Sequence, residues 1–147
     1  LCRTFSKIFG LAGLRLGYGI ACPALISAFE KVRQPFNINS IAQAGAQAAL
    51  QDDDHQARTR ENNRVGVEYF QSAFQAMGLP YVPSHANFVL ARFGSAAEAE
   101  ACDARLQSEG IIVRRVGSYK LPHCLRITVG SDAECDSLLA ALEQIIG

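Results

Sequence analysis

From Asn87 to Ile145 the hydrophobic spacing alternates between period 2 and period 3.6, and the order it spells, β-α-β-β-α, leaves few ways to fold. The run Asn87-Phe88-Val89-Leu90-Ala91-Arg92-Phe93 predicts a strand, Ala96 to Glu109 a helix ending at Gly110, and Ile111 to Arg114 a second strand. A loop with Gly117 and Pro122 leads to a third strand, Cys124 to Val129. Asp132 is placed to cap a last helix in which Leu138, Leu142 and Ile145 recur at helical spacing. Such an order closes a small sheet with helices packed on it, around one two-layer core.

The residues before it are less self-contained. Gln56 to Met77 predicts a long helix, with Val65, Tyr69, Phe70, Phe74 and Met77 on its apolar face and Gly78 at its end. Its charges Arg58, Arg60, Glu61 and Arg64 are read as a solvated opposite face. Leu16 to Ala21 predicts a short strand. Pro23 opens a helix from Ala24 to Val32, whose apolar face is Leu25, Ile26, Phe29 and Val32. Ser40 is the expected N-cap of an alanine-rich helix, Ile41 to Leu50, smooth enough to be buried. Asp52, Asp53 and Asp54 read as solvated acids at a helix start rather than as metal ligands. One strand and two apolar helices do not close on themselves, so the first fifty residues call for a larger sheet to cover them.

Composition narrows the functional classes. With 49% hydrophobic and 19% charged residues in 147, the chain is of the folded, globular type. No stretch approaches the roughly 20 apolar residues of a membrane span. Fourteen basic and fourteen acidic residues cancel, so no overall charge recommends nucleic acid. The five cysteines have no metal-ligand spacing and read as thiols in a reducing, cytoplasmic setting. Locally, Arg114, Arg115, Lys120, His123 and Arg126 follow one another with no Asp or Glu between them. That patch is either an anion receptor or a solvated basic loop.

The chemistry centres on Lys7. Thr4 and Ser6 precede it, Gly10 and Gly13 follow it, and Arg15 lies in the run Gly13-Leu14-Arg15-Leu16-Gly17-Tyr18. If Lys7 ends a strand and the chain turns at Gly10, Arg15 can return to the same pocket. Two hydroxyls and a guanidinium suit a phosphate, and an amine beside them suits an aldehyde. Pyridoxal 5'-phosphate carries both groups.

The run Arg3-Thr4-Phe5-Ser6-Lys7-Ile8-Phe9-Gly10-Leu11-Ala12-Gly13-Leu14-Arg15-Leu16-Gly17-Tyr18 closely resembles the cofactor-lysine region of fold type I pyridoxal-phosphate-dependent aminotransferases. Pro35-Phe36-Asn37-Ile38-Asn39, Pro83-Ser84-His85-Ala86-Asn87-Phe88 and Cys124-Leu125-Arg126-Ile127-Thr128-Val129-Gly130 resemble later signatures of the histidinol-phosphate branch. The resemblance implies an α/β fold, part of fold type I. Residues 1–54 would end the cofactor-binding large domain, and residues 55–147 would form a connecting helix and a small α+β C-terminal domain. It also implies that the chain corresponds to the C-terminal portion of proteins more than twice as long.

By that resemblance Lys7 forms the Schiff base with pyridoxal phosphate and moves a proton between substrate Cα and cofactor C4′. Thr4, Ser6 and Arg15 hold the cofactor phosphate. Arg126 clamps the anionic end of the substrate, Arg114 is a second substrate-facing arginine, and Asn37 and Asn87 line the substrate channel. The implied reaction is amino transfer between L-histidinol phosphate and 2-oxoglutarate, in histidine biosynthesis, by a cytoplasmic homodimer without metal, nucleic-acid or membrane partners. The alternatives are an aromatic-amino-acid aminotransferase, a decarboxylase of a phosphorylated amino acid, and a non-catalytic interaction or structural module. Tyr119, in the loop Gly117 to Pro122, is placed to influence the choice of substrate. The family's carboxylate for the pyridine nitrogen and its stacking ring precede the lysine, so the isolated 147-residue chain is expected to be inactive.

Overall fold

The computed structural model describes all residues, 1–147, as an α/β chain of two compact units, Leu1–Arg60 and Glu61–Gly147. In the first unit β1 (Cys2–Thr4) pairs antiparallel with β2 (Gly17–Gly19), in the register Cys2 to Gly19, Arg3 to Tyr18 and Thr4 to Gly17. The strand that leads to Lys7 ends at Thr4 rather than at the lysine itself, since a three-residue polar strand has no periodicity to mark its limits. Gly17 makes the pairing possible, because a Cβ there would lie 2.6 Å from the Arg3 carbonyl oxygen.

Helix α1 (Pro23–Val32) starts on Pro23 as expected, and α2 covers Ser40–Gln51. The cap of α2 is Asn39 rather than Ser40: its side chain accepts from Ala42 N at 2.8 Å. Nor is α2 largely buried. Only Ala42 and Ala46 are, packing with Phe5 and Leu16 in a small core that Phe9, Leu11, Leu14 and Ile38 flank. α1 buries nothing, and Phe29 and Val32 on its apolar face are 58% and 78% exposed. The unit has two strands, not the larger sheet its helices call for.

Helix α3 (Asp53–Ala76) begins at the acidic run, where Asp52 Oδ1 accepts from His55 N at 2.9 Å. Its buried stripe is Val67, Phe70 and Phe74, with Ala73 and Met77 half-buried beside it. Val65 and Tyr69, expected in that stripe, are exposed. Tyr69 instead donates its hydroxyl to Asp136 Oδ1 at 2.7 Å, which suits an aromatic with one polar end.

The second unit's sheet has the order β3-β4-β6-β5, formed by β3 (Tyr81–Val82), β4 (Phe88–Arg92), β5 (Arg114–Arg115) and β6 (Cys124–Thr128), all neighbours antiparallel. β3 is too short to have been read, and β5 starts at Arg114 instead of Ile111 because 111–113 make no ladder. α4 (Ala96–Ser108) and α5 (Asp132–Ile146) complete the β-α-β-β-α order. The core joins Val89 and Ala91 of β4 and Leu125 and Ile127 of β6 to Leu106, Leu138, Leu142, Phe70 and Phe74. Each large side chain in it stabilises the fold by roughly 1.5–3 kcal/mol.

Two local devices tie helices to this unit. Gly66 on α3 lies directly against Val129, and a Cβ there would collide with Val129 Cγ1. At the start of α5 the cap is Ser131, not Asp132: its N–H and hydroxyl both donate to Glu134 Oε2, at 2.8 and 2.7 Å. The backbone bond, with help from the hydroxyl, holds the Glu134 carboxyl below the usual carboxylate range.

Gly66→Ala should therefore destabilise the protein by about 1–3 kcal/mol in denaturant unfolding; an unchanged midpoint would mean the helix stands further from Val129. Because the Glu134 pKa is depressed in the folded state, its contribution is present above the unfolded carboxylate pKa and lost as pH falls through the folded value. The melting-temperature gap between the natural protein and Glu134→Ala should shrink as pH falls below about 4–5, and a gap independent of pH would rule out the ionic cap.

Candidate functional site

The residues around Lys7 are organised by the β1–β2 hairpin. One residue past the Thr4–Gly17 pair, Phe5 N donates to Leu16 O at 3.2 Å, and Phe5 and Leu16 are buried. Ser6 and Arg15 follow and precede that bond on the two arms, so the hairpin brings Thr4, Ser6 and Arg15 to one end. Ser6 N donates to Thr4 Oγ1 at 3.0 Å, which leaves the Thr4 hydroxyl proton available to another acceptor. Lys7 is exposed on the turn that follows, and Gly10 N closes this turn on Lys7 O at 2.9 Å.

Arg15 has φ +53° and ψ +48°, a left-handed conformation that costs a non-glycine residue about 1–2 kcal/mol. It ends a 3-10 turn, Ala12–Leu14, and its Nη1 donates to Ala12 O at 2.8 Å. The strain is held by the buried Leu16 next to it. Arg3, Lys7 and Arg15 are the only charged side chains before Glu30, and none of the three takes part in an ion pair. Asn37 is exposed between α1 and α2, beside Phe36, which also has positive φ (+54°).

In the second unit Arg114 and Arg126 are directly opposed partners across β5 and β6. Two like charges in such a pair repel, and the placement calls for an anion. The ion pairs of the chain are Arg33–Glu30, Arg64–Glu61, Arg64–Glu68 and Arg115–Glu100, and neither Arg114 nor Arg126 takes part. Arg115, its Nη1 2.8 Å from Glu100, is the surface residue of the group.

Arg126 is half-buried, and its Nε is buried without a hydrogen-bond partner. The guanidinium carbon lies 5.1 Å from the centroid of the Phe88 ring, in cation–π contact. Both arginines line an open cleft of about 680 Å³, with Phe70, Ile111 and Val129 among its walls. The one acid there, Glu134, is already engaged by Ser131. A buried guanidinium nitrogen with no acceptor costs stability unless a ligand supplies one. Asn87 is half-buried just before β4, and its carbonyl accepts from Val129 N at 3.0 Å. Tyr119, in a 3-10 turn, is exposed.

Phe88 was missed as a functional residue. In the sequence it is one apolar residue of a strand, and only the strand register places it one residue pair diagonally from Arg126. No three His, Cys, Asp or Glu side chains are grouped as metal ligands, and no helix is long and apolar enough to cross a membrane.

Residues 1–142 match the family model described as aminotransferase class I and II. The chain is 48% identical over 144 residues to a histidinol-phosphate aminotransferase of Cereibacter sphaeroides, covering 98% of this chain and 40% of that protein. To histidinol-phosphate aminotransferase 2 of Ralstonia nicotianae it is 50% identical over 145 residues, covering 98% and 39%. Among solved structures it superposes with TM-score 0.90 and 39% identity on histidinol-phosphate aminotransferase from Sinorhizobium meliloti, solved in complex with pyridoxal-5'-phosphate, covering 99% of this chain and 40% of that one. The chain thus spans about 40% of the length of the relatives it matches. With a fold that is the end of a fold type I large domain plus a small α+β domain, the chain belongs to the aminotransferase class I and II family.

Proposed function

We propose that the protein containing this chain is a pyridoxal-phosphate-dependent transaminase that moves an amino group between L-histidinol phosphate and 2-oxoglutarate, a step of histidine biosynthesis. The observation that carries this reading is the 48% identity with a histidinol-phosphate aminotransferase across 98% of the chain. In the same reading residues 1–54 belong to the cofactor-binding domain, residues 55–147 form the connecting helix and small domain, and the working protein is a homodimer.

The residues at the hairpin end fit pyridoxal phosphate. A doubly charged phosphate matches the cationic, acid-free stretch before Glu30, where Thr4, Ser6 and Arg15 supply two hydroxyls and a guanidinium. A fixed fork such as arginine's suits phosphate oxygens better than a lysine ammonium does. When bound, the cofactor supplies an aldehyde that condenses with amines and a ring that accepts an electron pair. Lys7, exposed and outside every ion pair, provides the amine that anchors it. Once displaced by the substrate's amine, Lys7 Nζ would be the base that moves a proton from the substrate Cα to cofactor C4′.

Arg126 binds the anionic end of the substrate. Its buried Nε lacks an acceptor, and its opposed partner Arg114 adds a second positive charge. Substrate oxygens would remove both penalties at once. Asn87 and Asn37 are assigned to the substrate channel.

In a panel of amino donors with 2-oxoglutarate, the protein should form glutamate fastest from L-histidinol phosphate and at least about ten-fold more slowly from phenylalanine or tyrosine, as kcat/KM. A preference for the aromatic amino acids would replace the substrate assigned here. Release of carbon dioxide without glutamate would replace the reaction.

A further inference from the structure

We propose that Asn63 is a positioning residue for the anion-binding guanidinium of Arg126, and that it therefore sets affinity for the phosphate or carboxylate end of the substrate. The inference rests on the role given to Arg126 above. Asn63 Nδ2 donates to Ala86 O at 3.1 Å, across 23 residues of sequence. Ala86 N in turn donates to Ser84 Oγ at 3.1 Å, so both sides of Ala86 are tied. One helical turn beyond Asn63, Gly66 lies against Val129, and Val129 N donates to Asn87 O at 3.0 Å. Helix α3 thus grips the start of β4 and the end of β6 at adjacent points on one of its faces.

Phe88 is the first residue of β4 after that grip, and the Arg126 guanidinium rests on its ring. No protein oxygen orients Arg126: it forms no ion pair, and its Nε has no partner. The Phe88 ring is therefore the surface against which the guanidinium is set, and the Asn63–Ala86 bond fixes where that ring begins. Asn63 is a costly choice for packing alone. Its Oδ1 is also buried without a partner, and an apolar side chain of the same shape would avoid that penalty. The amide is explained by the bond its nitrogen makes.

The test uses the cofactor-loaded protein with Asn63→Leu, which keeps the shape and adds no charge, and with Asn63→Ser as a second variant should Asn63→Leu not fold. Two readouts are taken: KM and kcat for L-histidinol phosphate, and the Kd of inorganic phosphate by calorimetry. The expected result is a rise of about ten-fold in both KM and Kd, with kcat within about two-fold. In an Arg126→Lys background the same substitution should have little further effect, since both changes act on one guanidinium. Unchanged phosphate affinity, or full additivity with Arg126→Lys, would overturn the positioning role and leave Asn63 a residue of stability only. If the natural protein binds phosphate but transfers no amino group, the functional reading fails instead, and the phosphate arm still decides the role of Asn63.

Discussion

The five-residue ladder between β4 and β6 is the constraint on which the second unit depends. Its register pairs Val89 with Ile127 and Ala91 with Leu125, and these four side chains are almost fully buried in the main core. The period of two then forces Phe88, Leu90 and Arg126 onto the opposite face. A slip of β6 by one residue would put Arg126 in the core and Ile127 outside it. The guanidinium is thus held at the surface of its cleft by the same hydrophobic pattern that stabilises the fold, at no separate cost in backbone strain.

The first unit reaches a comparable result by different means. Its core is small, and the geometry around Lys7 comes from backbone bonds: the β1–β2 pairs, Phe5 N to Leu16 O, and Gly10 N to Lys7 O. Strain is accepted at Arg15, whose left-handed backbone is flanked by the anchored Leu16. In both units cations are assembled without acids to neutralise them. Arg33, Arg64 and Arg115 have carboxylate partners, whereas Arg15, Arg114 and Arg126, like Arg3, Arg58, Arg60, Arg92 and Arg105, have none. What sets Arg114 and Arg126 apart is their direct opposition across β5 and β6 and the buried, unpartnered Nε of Arg126, which an anionic ligand would satisfy.

Much of this was legible in the sequence, for identifiable reasons. The β-α-β-β-α order was readable because β4, β6, α4 and α5 each repeat an apolar face long enough to show a period. β3 and the limits of β1 and β5 were not, since two or three residues carry no period and are fixed by their partners. Caps slipped by one residue, to Asn39 and Ser131, because adjacent Asn, Ser and Asp side chains compete for the same role. Val65 and Tyr69 were placed in the stripe of α3 by spacing that Val67 satisfies equally well. Among the site residues, Lys7, Arg15 and Arg126 stood out by their motifs. Phe88 and Asn63 did not, because what matters about them is a diagonal contact and a bond spanning 23 residues.

The most direct test of the account is where the cofactor attaches. The protein containing this chain is loaded with pyridoxal phosphate, reduced with borohydride and mapped by peptide mass. The account predicts a stable pyridoxyl adduct on Lys7 that is absent from Lys7→Ala. An adduct on Lys31 or Lys120, or one that survives in Lys7→Ala, would contradict it.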